Sequence, residues 1–456
     1  MKRIYFFMTT MLIAFSSFVQ AQTVDDDTEI IVTNNKGENE TIDLPEAMIS
    51  EVDSLLHLYN TKTYLKPDTG CNMPDFNPVY QPEEYKDRLR RLPTVMEMPY
   101  NDVVQKFIDR YSGKLRKSVG IMLGTANFYM PIFEQALETY GLPLELKYLP
   151  VIESGLNPKA VSRVGATGLW QFMLATGKNY GLEVNSLLDE RRDPIKSSYA
   201  AANYLSDLYR IFGDWSLVIA AYNCGPDKVN QAIHRANGSK DYWKIYPYLP
   251  RETRGYVPAF IAANYIMNYY CDHNICPMVA ELPLKTDTIL VNRDIHFEQI
   301  AHVLNTEIEL IRSLNPQYRR DIIIGNTQPS PLRLPVALLN SFIDHEDSIY
   351  AYNADELLTK RSEVEVSADV SAYSTDKNYS SYSRNSYGKG RGKNSIYKKS
   401  SKRSKRSRSS GKSVTIRVGD TLSEIAARNN TTVKQLKRLN GIKGNTIREG
   451  KKLKVR

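Results

Sequence analysis

A single carboxylate, Glu153, stands in the stretch VIESGLNPKAVSRVGATGLWQFM (Val151–Met173), followed by a glycine-rich turn, a Trp and a Gln. Leu146, Tyr148, Leu149, Val151 and Ile152 precede it in an apolar, helix-like run, which sets the carboxyl at the edge of an apolar environment. Burial disfavours the charged form, so an acid there can keep its proton near neutral pH and deliver it to a glycosidic oxygen. Ordinary glycosidases place two carboxylates around the bond, about 5 Å apart for retention and further for inversion. This stretch supplies one. Taken in isolation, Glu153 also reads as an ordinary exposed acid near a helix end.

The elements around it are helical. Asp193-Pro194 reads as a helix start, with an N-cap and Pro at the first position. The apolar periodicity runs to Ile211-Phe212 and stops at Gly213. Asp214 then caps a second helix, WSLVIAAYN, which ends at Gly225-Pro226. Strand-like alternation is scarce between about 100 and 270, so this region is expected to be mainly α. A water-using glycosidase would need its second carboxylate among Asp189, Glu190, Asp193 and Asp214; Asp193 and Asp214 read better as caps.

Three stretches in order, ESGLNPKAVSRVGATGLWQFM, AAYNCGPDKV (220–229) and ETRGYVPAFIAANYI (252–266), resemble the motifs of the Slt-type lytic transglycosylases, and most closely those of the membrane-bound murein transglycosylase D group. The resemblance implies a mainly α, lysozyme-like fold of the goose type and cleavage of the MurNAc–GlcNAc bond of peptidoglycan. It also accounts for the lone acid. In the family mechanism one Glu protonates the leaving oxygen and then, as a base, takes the proton of the muramyl C6 hydroxyl, which closes a 1,6-anhydro ring. By position, Glu153 would be that residue. Ser162 would lie close to its carboxyl, and Gly168-Leu169-Trp170-Gln171 would form the substrate turn with Gln171 on the N-acetyl or sugar hydroxyls. Tyr222 and Asn223 would line the cleft, and the Tyr256 hydroxyl would lie near Glu153. Singly, Gln171 could instead cap a turn, Tyr222 could be core and Tyr256 could be packing. Cys224 stands where the family usually has Ala, a small apolar substitution.

An internal repeat follows. IAHVLNTEIELIRSLN (Ile300–Asn315) and IAARNNTTVKQLKRLN (Ile425–Asn440) align without a gap, and β-like flanks on either side give each a strand-helix-helix-strand pattern. The second copy resembles a LysM module, which implies binding of GlcNAc-containing glycans through Gly419, Asp420, Thr421, Leu422 and Asn440. The first lacks the Gly-Asp-Thr and reads as a degenerate LysM-like domain, a glycan binder or a packed spacer. Residues 370–412 are Ser, Tyr, Gly, Lys and Arg with almost no aliphatics, too polar to bury a core. The expected organisation is a signal peptide at 1–21, an acidic and partly ordered N-terminal region at 22–100, and a catalytic domain at 101–280. A LysM-like domain at 285–340, a basic linker at 370–412 and a LysM domain at 413–456 complete it.

Lys2 and Arg3, an apolar run from Ile4 to Val19 and Val19-Gln20-Ala21 have the order of a secretory signal with cleavage after Ala21, which predicts an exported, periplasmic or envelope-associated protein. No Cys follows the cleavage site and no later run is long enough to span a membrane, so a soluble or peripherally attached mature chain is expected. Export permits disulfides. Four Cys allow three connectivities; Cys271 and Cys276 are close enough to pair, and Cys224 with Cys71 is a further pairing. The net charge of +9 divides unevenly: residues 377–456 carry 24 Lys/Arg and 3 Asp/Glu, a net +21, against −12 for the rest. An exported protein meets little nucleic acid, so this basic tail is expected to be a solvated linker or to be drawn to anionic peptidoglycan or lipid head groups. No motif calls for a metal, nucleotide or other cofactor. Two other functions stay open: a hydrolytic lysozyme, and a non-enzymatic cell-wall binder with an inert lysozyme-like domain.

Overall fold

Asp193 accepts hydrogen bonds from the backbone N–H groups of Ile195 and Lys196, and the helix it starts, Pro194–Phe212, stops at Gly213 in the left-handed conformation. Asp214 starts the next helix, Trp215–Cys224, by accepting from Leu217 N, and Gly225 closes it. Both boundaries follow from local chemistry: a short acceptor side chain satisfies orphan donors, and glycine takes the positive φ. These statements come from a computed structural model that describes residues 28–33, 38–49, 65–280, 282–283 and 285–359, together with 413–415, 431–440, 452–455 and a few positions between them. The expected signal peptide and the 370–412 linker lie outside the described residues.

The chain divides into two units, residues 1–377 and 378–456. In the first, the 24-residue helix Arg116–Thr139 packs against Pro194–Phe212, in which Ala200, Ala201 and Ala202 are buried. The helix Trp215–Cys224 is buried from Leu217 to Ala221, and Arg251–Tyr269 from Gly255 to Met267. Both therefore run through the core rather than over it. Among the described residues no helix is long and apolar enough to cross a membrane.

Part of the acidic N-terminal region packs into the main core. Glu29–Thr33 and Asn39–Asp43 form an antiparallel hairpin with Val32 and Ile42 turned into the main core, and Leu44, Met48 and Ile49 follow them in. Arg110 donates to the carbonyl of Met48 at 2.8 Å, and Arg251 pairs with Glu29 and Asp43. Five-residue strands with one fully buried side chain each leave too little alternation to read.

The disulfide also differs from the short-range pairing. Cys71 bonds Cys276, while Cys271 and Cys224 are free. The antiparallel pairing of Leu65–Pro67 with Met278–Ala280 brings the two distant segments together, and Cys271 points outward from the turn Cys271–His273. The bridge closes a sequence separation of 205 residues, so it removes much freedom from the unfolded chain. Cys71→Ala is expected to cost about 2–5 kcal/mol of stability. Thermal unfolding of parent and variant, with and without reductant, checks this: reductant should bring the parent to the variant's midpoint and leave the variant unchanged.

Residues 285–358 build the first repeat copy. Thr286–Val291 pairs antiparallel with Ser330–Pro335, and the helices Phe297–Val303 and Ile308–Leu314 lie between them in sequence. Val291, Phe297, Ile300, Ile311, Leu332 and Leu334 form its core. The compact module extends beyond 340: the helices Val336–Asp344 and Glu346–Ala351 bury Phe342, Ile349 and Tyr350 in the same cluster.

The second unit holds the other copy: Ser413–Thr415 pairs antiparallel with Lys452–Lys454 beside the helix Val433–Asn440, over Leu422, Ile425, Leu436, Leu453 and Val455. The asparagine shared by the repeats does the same work in both. Asn315 exchanges two 2.8 Å hydrogen bonds with the backbone of Arg333, and Asn440 exchanges two with Lys454. Each pins the closing strand to the end of the second helix.

Candidate active site

Glu153 lies in the last turn of the short helix Leu149–Ser154, which Gly155 ends at a φ of 58°. It is half-buried, and removal of water from around the carboxyl pushes its pKa up to about 8. Glu252 and Glu46 raise it further by like-charge repulsion, whereas the hydroxyl of Tyr256 donates to Glu153 Oε1 and opposes the rise. Tyr256 is buried on Arg251–Tyr269, one helical turn after Glu252, which puts both on the face towards Glu153.

The glycine-rich stretch folds back on itself twice, with Val161 and Phe172 both bridged antiparallel to Thr167. Ser162 Oγ accepts from Ala166 N at 3.0 Å, which closes the tip. Gly168 has a φ of 89°, and a Cβ there would lie 1.8 Å from the carbonyl oxygen of Arg191, so only glycine fits. Gln171 takes a φ of 48°, and its side-chain nitrogen donates to the carbonyl of Gly168 at 2.8 Å and to that of Ala160 at 3.4 Å. Both partners accept, which fixes the amide with its oxygen as the acceptor for anything else. Ser154, next to Glu153, donates to Leu169 O at 2.9 Å and ties the turn to the helix of the acid.

Glu153, Ser162, Gln171, Tyr222, Asn223 and Tyr256 line one cavity of about 360 Å³. Gly168, Leu169 and Trp170 do not. Leu169 and Trp170 are fully buried; Trp170 donates to Ser198 Oγ at 2.9 Å and gives its carbonyl to the hydroxyl of Tyr222 at 2.8 Å. They are the floor on which the cleft residues rest. Asn223 accepts from Thr253 Oγ1 at 2.7 Å. Cys224 reaches the cavity wall, its thiol pushed up to about 11 by burial.

The four acids weighed as second carboxylates lie elsewhere. Asp189 is buried against Arg191, Glu190 accepts from Glu183 N and pairs with Lys196, and Asp193 and Asp214 cap helices. Among the described residues the other carboxylates at the cavity are Glu46 and Glu252. Glu252 was visible in ETRGY, four residues before Tyr256. No pattern marks Glu46, which arrives with the N-terminal hairpin and accepts from Arg163 N at 3.1 Å. In the C-terminal module Leu422 is core and Asn440 clasps the closing strand, so neither offers its side chain freely to a glycan; Gly419, Asp420 and Thr421 lie outside the described residues.

Tyr256→Phe removes the donor that favours the Glu153 carboxylate. Hydrogen bonds to charged groups are worth about 1.5–3 kcal/mol, so the Glu153 pKa should rise by about one unit or more above its value of about 8. The variant should lose about tenfold or more in turnover, with the alkaline limb of its pH profile displaced upward; a pH series of initial rates measures both.

The transglycosylase SLT domain family matches residues 130–245, the LysM-like domain of lytic transglycosylase MltD matches 285–351, and the LysM domain matches 414–456. The membrane-bound lytic murein transglycosylase D of Escherichia coli (strain K12) is 27% identical over 364 residues, 79% of this chain and 70% of the relative. The soluble lytic murein transglycosylase of the same strain is 33% identical over 124 residues, 26% of this chain and 19% of its own. Among solved structures, the 70 kDa soluble lytic transglycosylase of Escherichia coli aligns with 38% of this chain and 29% of its own at 27% identity, with a TM-score of 0.30. The expected fold class, a mainly α lysozyme-like unit with small strand-containing modules, is the one found. The chain thus carries a transglycosylase SLT domain, a LysM-like domain of the transglycosylase D type and a C-terminal LysM domain, and over 79% of its length it is similar to a lytic murein transglycosylase, an enzyme.

Proposed function

We propose that the protein cleaves the β-1,4 bond between MurNAc and GlcNAc in peptidoglycan and leaves 1,6-anhydro-MurNAc ends, with Glu153 as the one acid and base. The observation that carries this reading is the state of Glu153: a desolvated carboxyl, protonated below about pH 8, at the wall of the cleft and in hydrogen-bond contact with Tyr256. Glu153 gives its proton to O4 of the leaving GlcNAc as the C1–O4 bond breaks. The carboxylate so formed takes the proton of the muramyl C6 hydroxyl, and O6 bonds to C1. Atoms and charge balance without an outside water, and Glu153 ends protonated. Tyr256 holds the carboxylate between the two transfers, and Gln171 presents its amide oxygen to an N–H or hydroxyl of the sugar.

A hydrolytic second reading has a specific footing, because Glu46 and Glu252 also line the cavity and either could activate a water. Mass spectrometry of muropeptides released from purified sacculi separates the readings. Anhydro ends, one water lighter, support the transglycosylase; reducing ends support the lysozyme. Binding without release leaves a cell-wall binder. The export signal read at 1–21 and the basic tail fit a periplasmic or envelope-associated enzyme whose C-terminal module holds it on glycan strands, with a charge attraction to anionic surfaces that weakens in salt.

A further inference from the structure

Beneath the cleft turn lies a buried ion pair that the mechanism does not use. Arg191 Nη1 donates to the carbonyl of Gly165 at 3.1 Å and to that of Phe172 at 3.2 Å, so one guanidinium nitrogen ties the two ends of the turn that carries Gln171. Asp189, 2% exposed, holds the guanidinium from the other side with two 2.9 Å bonds, Nε to Oδ1 and Nη2 to Oδ2. The carbonyl of Arg191 is also the atom packed against Gly168.

The segment bearing this pair is itself held by the 285–358 module. Asp189 N donates to Gln317 O at 2.8 Å, Arg319 N donates to Leu187 O at 2.7 Å, and Leu188 and Tyr318 form an antiparallel bridge. Arg319 Nη1 adds a bond to Asn185 O at 3.3 Å, and Leu188 packs on the module's core. An unbroken chain of contacts therefore runs from residues 317–319 through 187–189 and Arg191 to the turn with Ser162 and Gln171.

We infer that Arg191 is a positioning residue for the cleft turn, and that the 285–358 module acts on the cleft by holding Asp189 and Arg191 in place. The LysM-like copy thereby becomes part of the catalytic unit, whatever glycan it binds. A planar fork reaches two carbonyls and a carboxylate together, which a lysine ammonium cannot reproduce. The module's contribution passes through backbone hydrogen bonds, which its surface residues do not reveal.

The test uses the full chain and three single variants, Arg191→Lys, Asp189→Asn and Arg319→Pro, the last of which deletes the N–H given to Leu187. Hydrogen exchange read by mass spectrometry should speed up about tenfold in residues 162–172 in all three, with exchange in Trp215–Cys224 and Arg251–Tyr269 unchanged. On solubilised glycan strands KM should rise about tenfold with kcat little altered, because Glu153 keeps its surroundings while Gln171 loses its fixed place. The KM result rests on the transglycosylase reading; the exchange result does not. Unchanged exchange in 162–172 for Arg191→Lys overturns the positioning role. Faster exchange in Arg191→Lys and Asp189→Asn but not in Arg319→Pro overturns the part assigned to the module. Faster exchange everywhere, with activity lost in proportion to folded protein, overturns both in favour of plain stabilisation.

Discussion

Sacculi treated with the Glu153→Gln protein should release no anhydro-muropeptides above background, a loss of about a thousandfold or more against the parent. A general acid contributes about 10²–10⁴-fold, and in the proposed mechanism one residue serves both proton transfers, so its loss would stop the leaving group and the nucleophile together. The parent rate should fall as pH rises through about 8, where Glu153 gives up its proton. The same shift predicts stability. The folded pKa of about 8 lies above the ordinary 4.5, so the folded chain binds the proton more tightly, and the parent loses stability as pH rises from about 4.5 to about 8. Glutamine has no charge to bury. Glu153→Gln should therefore match the parent near pH 4 and be more stable at pH 8 or above. Thermal unfolding across pH, beside muropeptide release, measures both. A variant that still releases anhydro ends would move the chemistry to Glu252 or Glu46.

Gly168→Ala should be the most damaging small substitution in the turn. A left-handed residue with a Cβ costs about 1–2 kcal/mol by itself. Here the methyl group would also meet the Arg191 carbonyl oxygen at 1.8 Å, a backbone atom that cannot rotate away. The segment 189–192 would have to shift, and with it the Asp189–Arg191 pair. The expected loss exceeds about 4 kcal/mol, in the range that usually marks a broken core. Gly165→Ala is the control: φ is 88° there, but nothing lies within 4 Å of the added carbon, so it should cost only the backbone strain. Thermal unfolding of the two variants decides it. A Gly168→Ala protein as stable as Gly165→Ala would mean that the Arg191 segment yields easily, and the close packing under the turn would lose its importance.

Local chemistry made part of this protein readable from its residues. Asp193, Gly213, Asp214 and Gly225 punctuate two helices because a cap or a left-handed glycine acts within a few residues of its own position. The repeat was readable because a small module must bury the same face twice. The three motifs pointed to Glu153, Ser162, Gln171, Tyr222, Asn223 and Tyr256, and these six line one cavity. The motif did not separate lining from floor, since Leu169 and Trp170 adjoin Gln171 in sequence yet face the core. Nor did the repeat tell that Asn440 clasps a strand, because its partner Lys454 is chosen by the pairing of distant segments.

What the sequence determined by itself is the candidate acid, its motif neighbours and the helices that carry them, all matters of residue type and short spacing. Tertiary structure alone decided the rest. It brought Glu46 to the cleft in the turn after a hairpin, joined Cys71 to Cys276 across 205 residues, and set the Arg191 fork beneath the turn. Those arrangements depend on which distant segments pack together, and packing is settled by the whole core at once rather than by any window of the chain.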